Sequence, residues 1–265
     1  QGSGADKLAI SSTYQGLPVI DGVTQFLVGA RCLLAYRDFQ QRAVMKCDVT
    51  DQQKVDYWKR QLQDCDYVSE SLASELLRDF GIPMIQSLEV SSIDELQTAV
   101  LNVGFPLVLK TAVQGIDHKT EVGGVILNIS DQRQLQDAYE DLLQRLGLAV
   151  TVAPMADNNG VEMILGISRD EQFGPTVVVG FGGIYAEILS DVAVMLPPFD
   201  SAEVKRVLKS LSMYPLLEGV RGGSPLDIDS FCDVAAKMSA IALALSDSVV
   251  EIDINPVRLG VKGCI

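Results

Sequence analysis

The sequence predicts an α+β (α/β) protein in which mixed sheets are flanked by helices. Three observations lead to this prediction: segments of helical and strand periodicity alternate, Gly and Pro separate them, and 48% of the 265 residues are hydrophobic. A chain of this length can bury a large core. We expect two lobes, residues 67–148 and 149–265, preceded by a mostly helical segment at 1–66.

The first segment contains one clear helical pattern, at residues 23–42. Apolar residues such as Phe26 and Leu33 recur there at helical spacing, which predicts an amphipathic helix. Residues 43–66 are polar and are expected to form a connector that is helical in part. The main domain should begin near Tyr67, since Ser69 can cap the helix that follows it.

Strands and helices alternate through the rest of the chain. Strands are predicted at 84–90, 106–110, 125–129, 149–154, 161–168, 176–179 and 249–255, and helices at 93–103, 131–146, 201–211 and 229–245. Val and Ile are frequent in the strand segments, as is typical of sheets. The last strand is expected to end at Pro256, because proline cannot donate a hydrogen bond to a neighbouring strand.

Composition excludes several classes of protein. The net charge of -14 argues against a nucleic-acid partner, which binds through clustered Lys and Arg. No apolar stretch is long enough for a membrane span. The five cysteines are scattered without a C-x-x-C pair, which disfavours a disulfide framework or a zinc site and favours a reducing cytoplasm. The chain opens on Gln1 rather than Met, so we expect a fragment.

The final strand carries the clearest candidate metal site. Glu251, Asp253 and Asn255 alternate with apolar residues, so their side chains should share one face. Carboxylate and amide oxygens are ligands that magnesium prefers, and the ion would bridge nucleotide phosphates. An ordinary strand with one solvated face explains the same pattern.

A second candidate site follows the apolar strand that ends at Lys110. Its ammonium group could meet phosphate oxygens as a point charge, although an exposed lysine at a strand end is common. The next segment, 114–124, carries the only histidine of the chain, His118, between glycines. Neutral imidazole is a competent nucleophile for a phosphoryl group, and the glycines would allow the loop to move. His118 could equally be an ordinary surface residue.

Two glycine-containing segments are weaker candidates. The cluster 180–187 could hold phosphate through backbone N–H groups, but it is neither a Walker A loop nor a Rossmann fingerprint, and a tight turn explains it as well. The segment 221–225 supplies Arg221 in a flexible loop, which suits phosphate or carboxylate.

Several blocks, taken in order over about residues 67–265, resemble the ATP-grasp portion of NDP-forming acyl-CoA synthetases, relatives of succinyl-CoA synthetase. The blocks are GIPMIQS, GFPLVLKTA, HKTEVGGV, SRDEQFGP, VGFGGIYAEILSDVAVMLPP and EIDINPV. The resemblance implies an ATP-grasp fold, ATP/ADP and Mg²⁺ as cofactors, and an acid-thiol ligase that forms acyl-CoA, ADP and phosphate. Residues 17–42 look like the end of an upstream CoA-ligase region.

The resemblance also implies roles for individual residues. His118 would carry the phosphoryl group, Lys110 would hold the nucleotide phosphates, and Asp253, Asn255 and Glu251 would bind magnesium. A further set would lie around the nucleotide. Ala153 and Met155 on the hinge strand 152–155 would face the adenine, and Glu162 would lie on the nucleotide side. The residues near the phosphates would be Arg169, Gly182, Gly183 and Glu187. The partners implied are the upstream CoA-binding and CoA-ligase domains, with CoA and the carboxylic acid bound there.

The sequence departs from the family pattern in three places. Val113-Gln114 replaces the usual Ser-Pro, and Glu171 replaces the Pro of Asp-Pro-Gln-Phe-Gly-Pro, but neither change removes a charged group. The family also has a metal-binding aspartate beyond the last strand, and Ile265 precedes any such residue. Magnesium binding by this chain alone is therefore an open expectation.

Two other functions remain compatible with the sequence. The chain could be the ligand-sensing, synthetase-like region of a protein acetyltransferase, or another ATP-grasp carboxylate ligase in which His118 has no covalent role. Formation of a phosphoenzyme would distinguish these hypotheses from the synthetase hypothesis.

Overall fold

The computed structural model describes residues 22–41, 51–63, 65, 68–113, 115–116, 119–156, 160–183, 189–220 and 222–265. The chain divides into two compact units, Gln1–Lys46 and Cys47–Ile265. Helices of the described residues are α1 Val23–Gln40, α2 Gln52–Leu62, α3 Glu70–Asp79, α4 Ile93–Val103, α5 Gln132–Leu146, α6 Ser201–Leu208, α7 Tyr214–Leu217 and α8 Ile228–Ala244. None of these helices is long and apolar enough to cross a membrane.

The strands are β1 Leu88–Val90, β2 Leu107–Thr111, β3 Val125–Ile129, β4 Val150–Pro154, β5 Val161–Asp170, β6 Gly174–Phe181, β7 Val192–Met195, β8 Glu251–Gly260 and β9 Gly263–Cys264. They form a smaller sheet in the order β1-β4-β2-β3 and a larger sheet in the order β7-β6-β5-β8-β9. Every strand pair among the described residues is antiparallel. The predicted α+β class is confirmed.

Helix α1 is the described part of the first unit. Its position matches the predicted helix, but the predicted amphipathic character is wrong, because none of its residues is buried and its apolar residues lie around the whole circumference. Its large exposed apolar side chains are Val23, Phe26, Leu27, Val28, Leu33, Leu34, Tyr36 and Phe39.

Helix α2 lies in the predicted connector and packs into the larger unit. Val55, Trp58 and Leu62 are buried in the same core cluster as Leu76 of α3. The Trp58 indole N–H donates to Asp79 Oδ2 at 2.9 Å. The structure therefore divides the chain between Lys46 and Cys47, upstream of the boundary expected near Tyr67.

Strand β4 belongs to the smaller sheet, although the sequence grouped it with the second lobe. It lies between β1 and β2 and pairs with both, for example Val152 with Leu88 and with Leu109. Periodicity along the chain shows that β4 is a strand but contains no information on its partners. The smaller lobe consequently extends past residue 148.

Each sheet has its own apolar core. The smaller core lies between Val90 and Val152 in the sequence and is formed mainly by β1, β2, β4, α4 and α5. The larger core combines α2 and α3, which precede that stretch, with the strands and helices that follow it, up to Leu259. The smaller lobe is thus flanked on both sides in sequence by residues of the larger one.

Strand β8 continues through Pro256, where the sequence predicted its end. Between the pairs Met163↔Val257 and Leu165↔Ile254, β8 has two residues opposite one residue of β5. A β-bulge accommodates proline, because the extra residue has no ladder hydrogen bond to lose. The bulge at Asn255-Pro256 also explains why Ile254 and Val257 both point to the core.

Candidate functional site

The acidic face of β8 has the predicted alternation. Glu251, Asp253 and Asn255 are exposed, whereas Ile252 and Ile254 pack against the larger core. Burial raises the pKa of Asp253, and the neighbouring charge of Glu251 raises it further. The charge of Glu251 therefore opposes ionisation of Asp253, and no cation among the described residues offsets this effect on the pKa of Asp253.

A divalent cation would relieve this repulsion, and the oxygen donors are of the type that magnesium accepts. Among the described residues, however, no group of three or more His, Cys, Asp or Glu side chains is arranged to hold a metal ion. The donor set therefore fits an ion that takes one or two carboxylates and completes its shell with phosphate and water oxygens.

On the β5 side of this face, the residue opposite Asp253 is a glycine. Gly166 pairs with Asp253, and an added Cβ would lie 2.9 Å from the Ile252 carbonyl oxygen and 3.8 Å from Asp253 Oδ1. Such a contact with the backbone is too close for any side chain. The space beside the Asp253 carboxylate thus depends on the absence of a side chain at position 166.

Glu162 lies further along β5, opposite Arg258 of β8. Arg258 Nη2 donates to Glu162 Oε1 at 2.8 Å, and the Gly182 N–H donates to the Glu162 carbonyl at 2.8 Å. Gly183 follows with a φ of 59°, a left-handed conformation that favours glycine. The strand pairing thus brings Glu162, Gly182 and Gly183 together, while Glu187 lies outside the described residues.

The predicted hinge strand is the end of β4. Ala153 is buried and pairs with Val108, and the Met155 N–H donates to the Pro106 carbonyl at 2.9 Å. Met155 is half-buried. This segment leaves the smaller sheet and leads to β5, the central strand of the larger sheet, so it connects the two lobes.

Lys110 lies near the end of β2 and faces the first turn of α3. Its Nζ is 3.7 Å from Glu70 Oε1, and Lys119 Nζ is 2.5 Å from Glu70 Oε2. Burial raises the pKa of Glu70, but the hydrogen bond from Lys119 and the charges of Lys110 and Lys119 together hold that pKa below its usual value. Glu70 is therefore an ionised bridge between the two ammonium groups.

The turn that carries Lys119 is fixed at its far end. The Gly124 N–H donates to the Lys119 carbonyl at 2.7 Å, and the guanidinium of Arg145 donates to the carbonyls of Val122 and Gly123 at 3.1 and 2.9 Å. A Cβ at Gly124 would lie 2.7 Å from Thr111 Cγ2, so the turn lies directly against β2. His118 itself lies outside the described residues, next to this anchored turn.

A cavity of about 360 Å³ lies beside the Glu70–Lys119 ion pair. Its lining comes from α3, the strands of the smaller sheet and the segment after β2: Ser69, Glu70, Ser71, Leu72, Ser87, Glu89, Ala112, Val113, Ile116, Lys119 and Thr151. Both polar and apolar groups face it. Ile116 and Lys119, the described residues on either side of 117–118, border it.

Three residues of the candidate site were not predicted from the sequence. Glu70 follows the capping Ser69 and looked like part of a helix start, Arg258 lies beyond the expected end of the last strand, and Arg145 has the spacing of an ordinary helix surface. Only the early position of Glu70 in α3 gave a signal, since carboxylates are favoured at helix N-termini. Among the other expected residues, Arg169 donates to the Ser246 carbonyl at 2.8 Å.

The chain is similar in sequence to a known domain family and to two ligases of known activity. A family model described as ATP-grasp domain matches residues 61–265. The chain is 34% identical over 203 residues to trans-feruloyl-CoA synthase FCS1 of an unknown prokaryotic organism, covering 74% of this chain and 29% of that protein. It is 34% identical over 198 residues to the beta subunit of acetate–CoA ligase [ADP-forming] I of Pyrococcus furiosus, covering 71% of this chain and 84% of the subunit.

Solved structures agree with the sequence relatives. Acetyl-coenzyme A synthetase 1 of Ca. Korarchaeum cryptofilum, in complex with coenzyme A, Ca-AMPCP and HgCl+, matches with a TM-score of 0.71 and 29% identity over 81% of this chain and 96% of that chain. Another structure of that synthetase holds coenzyme A and Mg-AMPPCP, and its phosphohistidine segment points towards the nucleotide binding site. It matches with a TM-score of 0.68 and 28% identity over 81% of this chain and 95% of that chain.

Proposed function

Because the chain belongs to the ATP-grasp domain family and to the β-subunit relatives of ADP-forming acetate–CoA ligases, we propose that it is the nucleotide-binding part of an acyl-CoA synthetase. The full reaction joins a carboxylic acid and CoA at the expense of ATP and releases ADP and phosphate. The chain spans 29% of the feruloyl-CoA synthase and 84% of the β subunit it resembles. The remaining parts of the reaction therefore need other domains or a partner subunit.

One observation carries this proposal: the segment after His118 is anchored directly beside Lys110. The backbone of Thr111 bonds to Gly124, and Gly124 bonds back to Lys119, so the residue after His118 is tied to the strand that carries the phosphate-binding lysine. In the Korarchaeum synthetase a phosphohistidine segment points to the nucleotide site. His118 is the only histidine of this chain, so it is the candidate for that role.

The chemistry assigned to this chain is a single phosphoryl transfer. An imidazole nitrogen of His118 attacks the terminal phosphorus of ATP in line, the bond from that phosphorus to the bridging oxygen breaks, and ADP leaves with the electron pair. The second imidazole nitrogen releases its proton. Lys110 orients the phosphates as a point charge. The segment of Ala153 and Met155, in which the Met155 N–H is already bonded to the Pro106 carbonyl, would face the adenine ring.

Asp253, Asn255 and Glu251 are the residues that would hold magnesium. When bound, the ion would neutralise charge on the phosphate oxygens. Gly166 keeps the space beside Asp253 open, while Glu162 is held by Arg258 and Gly182 close to the glycine turn at 182–183. These groups would form the side of the nucleotide site that belongs to the larger sheet.

We also propose that residues 1–66 include the end of an upstream CoA-ligase region, with CoA and the acid bound by domains outside this chain. Support comes from α1, whose residues have no buried side chain and which presents apolar groups on all sides. A helix of this kind is normally buried in a larger domain.

The test is transfer of phosphate from ATP to the protein. The purified chain is incubated with magnesium and ATP labelled at the terminal phosphate, quenched in base to preserve phosphohistidine, and compared with His118→Ala. Label on the wild type alone is expected. If neither protein is labelled although both bind ATP, phosphoryl transfer by this chain is wrong and the ligand-sensing alternative gains support; absence of nucleotide binding would contradict the proposal as a whole.

A further inference from the structure

Glu70 connects three segments that are far apart in the sequence. It is the first residue of α3, Lys110 lies near the end of β2, and Lys119 lies in the turn before β3. The two carboxylate oxygens divide between the lysines, with Oε2 at 2.5 Å from Lys119 Nζ and Oε1 at 3.7 Å from Lys110 Nζ. We refer to these three residues as the Glu70 latch.

Stabilisation of α3 does not account for the direction of this side chain. An acidic residue in the first turn offsets the helix dipole wherever its carboxylate points. The capping hydrogen bond is already supplied by Ser69 Oγ, which accepts from the Leu72 N–H at 3.3 Å. The Glu70 carboxylate instead points to the two ammonium groups, so its contacts hold the two lysines and do not cap the helix.

We propose that Glu70 is a positioning residue that holds Lys110 and Lys119 in the nucleotide-free chain and releases them to phosphate oxygens when nucleotide binds. The inference rests on the proposed function, since it takes Lys110 as a phosphate ligand. A carboxylate and a phosphate need the same ammonium donors, and two anions within a few ångströms repel each other. Bound phosphate therefore displaces the carboxylate from Lys110.

The second half of the latch holds the turn before β3. Lys119 directly follows His118 in the sequence, and its ion pair with Glu70 ties the described start of this turn to α3. The other end of the same turn is held by Arg145 and by β2. Loss of the Glu70 contact therefore frees the Lys119 side chain, while the Lys119 carbonyl stays bonded to the Gly124 N–H. The adjacent cavity, which Ile116 and Lys119 line, provides room for that side chain to move.

The experiment compares Glu70→Gln with the wild-type chain in two measurements. Calorimetric titration with AMPPCP at constant magnesium measures nucleotide affinity, and amide hydrogen exchange without nucleotide measures protection of residues 119–124. Removal of the competing charge should make AMPPCP binding about fivefold tighter, which corresponds to about 1 kcal/mol. Loss of the ion pair should speed exchange in the turn. A residue that only supported the fold would weaken binding when replaced.

Glu75→Gln is the matched control, because Glu75 lies exposed on the same helix and carries the same charge. It should leave both measurements at the wild-type level. Lys119→Gln should reproduce the faster exchange, and the double variant Glu70→Gln/Lys119→Gln should add nothing to it, since both changes remove one contact.

Two results would overturn the latch. Unchanged exchange in Glu70→Gln would show that Glu70 does not hold the turn, and unchanged or weaker AMPPCP binding would show that it does not compete with phosphate. If the wild-type chain binds no AMPPCP, the proposed function fails, and with it the proposed competition between Glu70 and bound phosphate. The exchange measurement would still decide whether Glu70 holds Lys119.

Discussion

Gly166 of β5 lies directly opposite Asp253 of β8, and the missing side chain at position 166 is what keeps the Asp253 carboxylate accessible. The pair lies in the middle of the larger sheet, between the buried residues Leu165 and Ile167 on one strand and the half-buried Ile252 and Ile254 on the other. One strand thus contributes the carboxylate, and the other leaves open space beside it, which under the proposed function would take a cation and its phosphate ligands.

Replacement of Gly166 by Ala should therefore damage both the sheet and the site. The new Cβ would lie 2.9 Å from the Ile252 carbonyl oxygen, so the strands must separate. We expect a loss of about 1–3 kcal/mol in the free energy of unfolding, typical of an overpacked position, together with weaker binding of Mg-AMPPCP. Urea unfolding and calorimetric titration measure the two effects. Ser168→Ala, at an exposed position of the same strand, is the control, and equal stability of both variants would refute this expectation.

Asp253→Asn should separate stability from binding. Because the pKa of Asp253 is raised in the folded chain, the ionised carboxylate destabilises the fold at pH values above that pKa. The penalty is absent below the unfolded pKa of an aspartate and grows as the pH rises through the folded value. Asp253→Asn should thus have a higher Tm than the wild type at pH 7 and no advantage near pH 3, measured without metal.

The same variant should bind Mg-AMPPCP more weakly, because an amide is a poorer ligand for magnesium than a carboxylate. Glu89→Gln provides a control with the same charge change on an exposed residue of β1. A Tm difference that does not depend on pH would rule out ionisation of Asp253 as its cause.

Lys110→Met should abolish most of the nucleotide affinity and little of the stability. The ammonium group is partly exposed and its ion pair with Glu70 is long, so the free energy of unfolding should change by less than about 0.5 kcal/mol. Loss of a charge-assisted contact to phosphate should raise the Kd for ADP by about tenfold or more. Lys209→Met, which changes an exposed lysine after α6, should bind ADP normally; an unchanged Kd in Lys110→Met would remove Lys110 from the site.

Trp58→Ala should unfold the larger lobe at much lower denaturant concentration. Trp58 is 1% exposed and also donates a hydrogen bond to Asp79, so the truncation should cost about 3–5 kcal/mol. Circular dichroism is the measurement, since the chain has no other tryptophan to report by fluorescence. Tyr57→Ala, at the half-exposed neighbouring position, should cost about 1 kcal/mol or less. If both variants unfold alike, α2 is not part of the core.

Local signals in the sequence were sufficient for most secondary structure. The prediction of α4 at 93–103 is confirmed at both ends, because Ser92 accepts from the Glu95 N–H and Gly104 adopts a φ of 74° at the helix end. The strand at 125–129 and the alternation of Glu251, Asp253 and Asn255 are also confirmed. Each of these features depends on a few consecutive residues, which is the range over which periodicity and capping act.

Features that depend on contacts between distant residues were not predictable in this way. The place of β4 in the smaller sheet depends on β1 and β2, and the continuation of β8 through Pro256 depends on a bulge against β5. The pairing of Glu70 with Lys110 and Lys119 joins residues that are up to 49 positions apart. The functional roles of all the candidate site residues stay predictions, and His118, Glu187 and Arg221 lie outside the described residues.

The order of the two cores along the sequence has a consequence for how the protein is made. Helices α2 and α3 are synthesised before the rest of the larger unit, but most residues of the core cluster that contains Trp58, Leu76 and Leu77 belong to segments after residue 160. The smaller sheet, which is complete once β4 has been synthesised, can fold during translation while those early helices still expose their apolar sides. These two helices would then be the last part of the larger unit to become stable, and during this interval they would be the part most exposed to chaperones and proteases.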